Sequence, residues 1–155
     1  MDRPIVWIAV GLGAVLLLAA LRWLWKLARA VQVERAGELF RLQHERFEEM
    51  LLAAASQSGK PRGLHWRKCE IVGDAVLART PTRGITALVP VVIHFEPIAG
   101  SEMEDVPAAR EPRIATAIFS FHRGRWHTAG RVVFNLDPAQ ALNRFGERLT
   151  PITHH

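Results

Sequence analysis

An uninterrupted apolar stretch near the N-terminus constrains this chain more than any other feature. Residues 4–21 are 18 consecutive residues without a charge, and none is more polar than Gly or Trp. As a helix this stretch would be ~27 Å long, close to the ~30 Å thickness of a bilayer's hydrocarbon core. It is apolar on all sides, whereas a soluble amphipathic helix needs only one apolar stripe. The sequence therefore predicts a transmembrane helix, in an anchor that we assign to residues 1–30.

Tryptophans and basic residues bracket the apolar stretch. Indole rings favour the two membrane interfaces, and the lipid bilayer is the first predicted partner. A cleaved signal peptide is the alternative, but its cleavage motif at 28–30 would lie beyond the tryptophans and cations that follow the apolar core. The predicted membrane-interface anchors are Trp7, Arg22, Trp23, Trp25, Lys26 and Arg29.

The flanking charges predict the orientation of the span. Before it, Arg3 is opposed by Asp2, whereas four cations follow it, Arg22, Lys26, Arg29 and Arg35. Because the more positive flank stays inside, we expect a short external N-terminus and a cytoplasmic C-terminal domain. The single cysteine, Cys69, fits a reducing compartment.

Chain length permits one further domain and no more. Of the 155 residues, those from 59 onward form a stretch with room for a modest hydrophobic core. The net charge of +5 is distributed unevenly along the chain, and the excess of cations at 22–29 lies where anionic lipid headgroups would be.

Residues 31–58 predict an amphipathic juxtamembrane helix. Apolar positions recur at helical spacing along one face, and charged residues line the other. This stripe could form a homodimeric coiled coil through residues 31–56, or it could lie on the chain's own domain. We favour the second, because Gln43 interrupts a seam of only about three heptads. The stripe is Ala36, Leu39, Phe40, Gln43, Phe47, Met50, Leu51 and Ala54.

After a linker at 59–63, the apolar period changes from helical to alternating. Residues 64–146 predict a small antiparallel-sheet domain, and residues 147–155 a flexible tail. The longest strand, 85–96, carries apolar residues at every odd position and mixed residues at even ones, which is typical of a half-buried strand. Pro90 within it indicates an edge strand or a bulge. The predicted fold is α+β: a transmembrane helix, an amphipathic helix, a curled meander of about five strands and a short C-terminal helix.

Two local signals fix the end of this domain. Arg123-Gly124 predicts a two-residue hairpin turn, which would pair Phe121 with Trp126 on the core side. Asp137-Pro138 with Gln140 predicts a helix start with a capping box. A long helix before a curled sheet with this late Gly-Arg-Trp hairpin resembles cystatin-like and NTF2-like domains in element order over residues 31–135, and no activity is carried over.

The same register places four polar side chains on the outward face of the sheet. These residues form a candidate ligand face: His94, Glu96, His122 and His127. They could bind a metal ion, or they could simply be a solvent-exposed polar surface. The basic and aromatic residues around His122–His127 also suggest a nucleic-acid surface. That is disfavoured because Trp126 is assigned to the core.

No set of residues predicts catalysis. Cys69 and His65 share a strand face ~13 Å apart, too far for a nucleophile and its base. We predict no catalytic residue, metal or cofactor. The predicted function is non-enzymatic tethering or protein interaction by a membrane-anchored domain, with an unknown protein partner. The alternative is a membrane-anchored ligand-binding or enzymatic domain with a pocket on the concave sheet.

Overall fold

The structure is a computed structural model that describes residues 3–58, 63–82, 84–145 and 149–152, without the side chains of residues 3–10, Arg29, Arg41 and Ser58. The chain divides into two compact units, Met1–Arg35 and Ala36–His155. The side chains of two predicted anchors, Trp7 and Arg29, and linker residues 59–62 lie outside the described part.

The first unit consists of the N-terminal part of a long apolar helix. Helix α1 spans Arg3–Leu42, and its segment Gly11–Phe40 is long and apolar enough to cross a membrane. Every side chain from residue 11 to residue 28 is exposed, including Trp23 at 63% and Trp25 at 61%. A helix that served as the core of a soluble domain would bury such side chains.

The predicted juxtamembrane helix is divided between two helices. Helix α1 ends at Leu42, and α2 spans His44–Ser58, with Gln43 between them. From Ala36 onward, the described buried side chains of this region belong to the predicted stripe or lie next to it: Ala36, Phe40, Phe47, Leu51 and Ala55. Because Phe40 and Phe47 both contact Phe119 of the sheet, the stripe packs on the chain's own domain, as we favoured.

Within the described residues, seven strands form one antiparallel sheet, rather than the five predicted. They are β1 (Leu64–Ile71), β2 (Val76–Arg79), β3 (Ile85–Pro97), β4 (Arg113–His122), β5 (Arg125–His127), β6 (Val132–Phe134) and β7 (Thr150–Pro151). A 3-10 turn at Pro107–Arg110 precedes β4, and helix α3 spans Pro138–Arg144. The extra strands arise because residues 128–131 divide the predicted last strand into β5 and β6, and because β7 was not predicted.

Strand β3 lies at the centre of the sheet. Its first half pairs with β2, its second half pairs with β1, and β4 runs along its other side. Pro90 therefore does not mark an edge strand. The Pro90 carbonyl accepts from Val72 N at 3.0 Å, so the side of Pro90 that lacks an N–H faces Val72, the residue directly after the end of β1.

The two faces of the sheet differ in what covers them. We call the face carrying Ala87, Val89, Phe119 and Trp126 the helix-side face, because Phe40 of α1 and Phe47 of α2 pack there. The opposite face carries the alternate residues. Its central part is also buried, at Thr86, Leu88 and Thr116. The first half of β3 is thus buried on both faces, not half-buried as predicted.

A C-terminal segment covers the centre of the opposite face. Thr116 Oγ1 donates to Leu136 O at 2.7 Å, and α3 contacts β2 and β3. Asp137 caps α3 with the predicted capping box: its side chain accepts from Gln140 N at 2.7 Å, and Asp137 N donates to Gln140 Oε1 at 3.1 Å.

The predicted hairpin register is confirmed. Phe121 pairs with Trp126, and Ser120 pairs with His127. Arg123 and Gly124 have φ values of 50° and 77°, which a two-residue turn matched to strand twist requires. Trp126 is buried and its Nε1 donates to Ala36 O at 3.0 Å, so its ring is no platform for stacking bases.

Part of the predicted flexible tail belongs to the sheet. Residues 150 and 151 form β7 and pair with Arg79 and Ala78 of β2, and Ile152 N donates to Leu77 O at 2.9 Å. The remaining residues of the tail, 147, 148 and 153–155, lie outside the described part. Alternation is too short over two residues to predict such a strand.

Candidate binding groove

The candidate ligand face is divided between two ends of the sheet. His127 pairs with Ser120, which pairs with Thr86. His94 lies eight residues further along β3, a distance of ~26 Å at ~3.3 Å per residue. The structure therefore brings His122 and His127 to one end and His94 with Glu96 to the other. Among the described residues, no three His, Cys, Asp or Glu side chains are grouped so that they could hold a metal ion.

His94 has neighbours that the sequence analysis did not assign to it. Its Nε2 lies 3.3 Å from Glu70 Oε2, and the other oxygen of that carboxylate pairs with Lys68 Nζ. The hydrogen bond from Lys68, and then that from His94, lowers the pKa of the Glu70 carboxyl below its ordinary value of 4.5. The same hydrogen bond to Glu70 raises the pKa of Lys68 above 10.5. All three side chains lie on a solvent-accessible surface.

Cys69 is a buried core residue. Its relative exposure is 3%, and burial raises the pKa of its thiol to about 12, with Glu48 and Glu70 adding to the shift. A nucleophilic cysteine needs a lowered pKa and access to substrate, and Cys69 has neither. The structure therefore gives this thiol the properties of a small apolar side chain.

The largest of the cavities described lies between the helices and the hairpin, on a part of the molecule that the sequence analysis did not identify. This groove has a volume of about 440 Å³. It is open to solvent along one side, and all its residues belong to the second compact unit. Its lining residues are Leu39, Gln43, Arg46, Phe47, Met50, Gly124, Arg125, Trp126 and His127.

An aromatic cluster forms the floor of the groove. Phe47 and Trp126 are both buried, and Phe40 links them. The Phe40 ring stacks on Phe47 with a centroid distance of 4.6 Å and meets Trp126 edge to face at 5.4 Å. Aromatic pairs at these distances are stabilising, so the floor is held by the same contacts that hold the core.

Cations and a histidine form the rim. Arg46, Arg125 and His127 are exposed, and in the described part of the chain none of them makes an ion pair within 4.0 Å. Glu45 and Glu49 are exposed neighbours of Arg46 on α2, but neither lines the groove. The groove thus combines an apolar floor with a rim of positive charge, and carries no acidic side chain in its lining.

Sequence reasoning missed the groove because its two walls are far apart along the chain. Residues 39–50 supply one wall and residues 124–127 the other, and their approach depends on how the helices lie on the sheet. Two signals were present in the sequence. Gln43 interrupts the apolar stripe at the groove, and the basic residues of the hairpin flank a core tryptophan.

These observations define an α+β protein, in which helices pack on an antiparallel sheet, with an apolar N-terminal helix. Compared with protein-family models, with curated proteins and with solved structures, the chain finds no match. The groove must therefore be interpreted from its own chemistry.

Proposed function

We propose that this chain is a single-pass membrane protein whose cytoplasmic α+β domain binds a partner protein and tethers it to the bilayer. The observation that carries the proposal is the groove, which has an aromatic floor and a rim of cations that have no ion-pair partner among the described residues. Open grooves of this kind accept an apolar side chain, while a charged rim selects the partner and steers its approach.

The partner that fits this groove is an acidic segment with apolar side chains. Arg46 and Arg125 would pair with its carboxylates, and its apolar residues would contact Phe47 and Trp126. Met50 adds a flexible, polarisable side chain that adapts to different shapes. Homodimerisation through residues 31–56 would need a surface other than the apolar stripe, because the buried part of that stripe already contacts the sheet.

The membrane anchor is supported by the exposed apolar side chains of residues 11–28 and by the cations that follow them. Arg22 and Lys26 are exposed, as interfacial anchors would be. The excess of cations after the apolar segment predicts a cytoplasmic domain. The double variant Cys69→Ala with Glu102→Cys, whose single cysteine is at position 102, tests this, because residue 102 is exposed whereas Cys69 is not. An impermeant maleimide should label Glu102→Cys only after the cells are opened, and labelling in intact cells would contradict the orientation.

The groove is tested by binding of designed peptides to the full chain in nanodiscs. A peptide of repeating Leu-Glu units should bind, and its Leu-Lys counterpart should not. The double variant Arg46→Glu with Arg125→Glu should weaken binding of the acidic peptide about tenfold or more, because like charges would then face each other. It should also acquire affinity for the basic peptide.

The matched control is the double variant Arg131→Glu with Arg144→Glu, which reverses two exposed cations outside the groove and changes the net charge by the same amount. It should change the affinity for the acidic peptide less than about twofold, since distant surface charges are screened. Equal losses in the groove variant and the control would show that only net charge matters, and the groove would not be the binding site.

A further inference from the structure

A second cavity lies at the other end of the sheet from the groove. Its volume is about 300 Å³, and we call it the β1 cavity because two of its cations come from that strand. Only one side chain of the lining is acidic. The lining residues are Arg67, Lys68, His94, Phe95, Glu96, Pro97 and Arg110.

A β-bulge gives the β1 cavity two consecutive cations. Trp66 pairs with Phe95 and Lys68 pairs with His94, so Arg67 is an extra residue without a partner in β3. In a regular strand Arg67 and Lys68 would point to opposite faces. Here both are exposed, between the buried residues Trp66 and Cys69. Bulges of this kind redirect side chains and are often found beside functional sites.

The third cation comes from a different element. Arg110 ends the 3-10 turn at Pro107–Arg110, and this turn is held in place by the buried side chain of Ala109 and by contacts with β3. Within the described residues, Arg67 and Arg110 make no ion pair, whereas Lys68 is paired with Glu70. Two guanidinium groups thus line one cavity without a carboxylate partner in the described part of the chain.

We propose that the β1 cavity binds the phosphate group of a phosphate monoester. A tetrahedral phosphate offers oxygens in several directions, so it can accept from cations on two separate elements, whereas a carboxylate accepts mainly in one plane. Phe95 and Pro97 leave an apolar wall for the organic part of the ester. The acidic groups facing the site are Glu96 on β3 and Glu70 on β1, and Arg67, Lys68 and Arg110 outnumber them.

The phosphate could belong to a soluble ester or to a lipid headgroup, and one experiment separates the two. Backbone amide signals of the full chain in nanodiscs of phosphatidylcholine are followed while inorganic phosphate is added. Saturable shifts are expected at Arg67, Lys68 and Arg110, with acetate producing much smaller ones. In nanodiscs that also contain phosphatidic acid, shifts of the same amides before phosphate is added would assign the site to a lipid headgroup. Unchanged amides would assign it to soluble esters.

Variants decide whether these residues form the site. Arg67→Gln and Arg110→Gln should each weaken phosphate binding roughly tenfold, because each removes charge-assisted hydrogen bonds to an ionised ligand. Arg131→Gln, which changes an exposed cation outside the cavity, should have less than a twofold effect. Both test residues are exposed, and the remaining amide signals report whether the fold is kept. The proposal is overturned by unsaturable shifts up to ~10 mM phosphate, which corresponds to negligible affinity, by equal binding of acetate, or by wild-type affinity in both variants.

Discussion

The two faces of the sheet use the same strands for different purposes. On the helix-side face, Phe119 and Trp126 pack against Phe40 and Phe47, and every odd residue from Ile85 to Phe95 is buried. On the opposite face, α3 and the segment before it cover only the centre, while His94, Glu96 and His122 near the strand ends remain accessible to solvent. Stability therefore depends mainly on the first face, and the polar ends of the second stay accessible to solvent.

This difference predicts a hierarchy of mutational effects. Substitutions on the helix-side face should cost several kcal/mol, those in the segment covering the opposite face about 1 kcal/mol, and those at its exposed ends almost nothing. Each effect is measured as the free energy of unfolding of the second compact unit, in the full chain held in detergent micelles. A fragment beginning at residue 59 would not suffice, because it lacks the core residues Ala36, Phe40, Phe47 and Leu51.

The largest effect is expected for Trp126→Ala. It removes a buried ring that contacts Phe40 and Phe121, together with the hydrogen bond that Trp126 Nε1 donates to Ala36 O. The expected loss is ~3–5 kcal/mol, a large part of the ~5–15 kcal/mol that a domain has. The control is Trp23→Ala, which changes an exposed tryptophan of the first unit and should leave domain unfolding unchanged. A tolerated Trp126→Ala would contradict the assignment of the core to this face.

Gly130→Ala should be the next most severe. A Cβ at this position would lie 2.4 Å from Ala55 N in α2, and the φ of +71° is unfavourable for any L side chain. We expect a loss of ~2–4 kcal/mol from overpacking and backbone strain together. Gly124→Ala provides the comparison, because its φ is +77° but a Cβ there meets open space. The difference in unfolding free energy between the two variants gives the steric cost of the tight contact between the 128–131 segment and α2. Equal losses in the two variants would show that this contact is loose.

Asp137→Ala should have an intermediate effect, because it weakens the helix that covers the opposite face. It removes the side chain that accepts from Gln140 N at the start of α3. Loss of such a cap costs ~0.5–2 kcal/mol, whereas Asp137→Asn should keep most of the stability. A loss as large as that of Trp126→Ala would mean that the two faces contribute equally to stability, which would contradict the expected difference between them.

His122→Ala and His127→Ala should each cost less than ~0.5 kcal/mol, since both side chains are exposed at the hairpin. Thermal or chemical unfolding of these two variants and of Trp126→Ala compares the stability lost at exposed and at buried positions of the same hairpin. A damaging histidine substitution would show that this end of the sheet is covered in solution.

The smallest effect concerns acid stability. Because the hydrogen bond from Lys68 lowers the pKa of Glu70, ionised Glu70 favours the folded state. Its contribution is present above the ordinary pKa of 4.5 and is lost as the pH falls through the lower folded value. A carboxyl titration by NMR should give Glu70 a midpoint below 4.5, and Lys68→Met should raise it. A Glu70 midpoint that Lys68→Met leaves unchanged would contradict the role of Lys68. The group is exposed, so the effect on stability is small.

The sequence by itself determined the local features of this protein. A long apolar run without charges, alternation over residues 85–96, a two-residue turn at Arg123-Gly124 and a capping box at Asp137 each depend on residues close together in the chain. The apolar helix, the α+β class, the hairpin register and the α3 cap could be predicted because the physical cause of each is local.

Tertiary structure decided whatever depends on distant residues. The groove joins residues 39–50 to residues 124–127, the β1 cavity joins a bulge on β1 to a 3-10 turn, and β7 is a strand only because β2 offers it an edge. The candidate ligand face was divided because alternation indicates which face a residue occupies but not its position along the sheet. That position depends on which strands pair and in what register, and the free energy of packing the whole domain selects it.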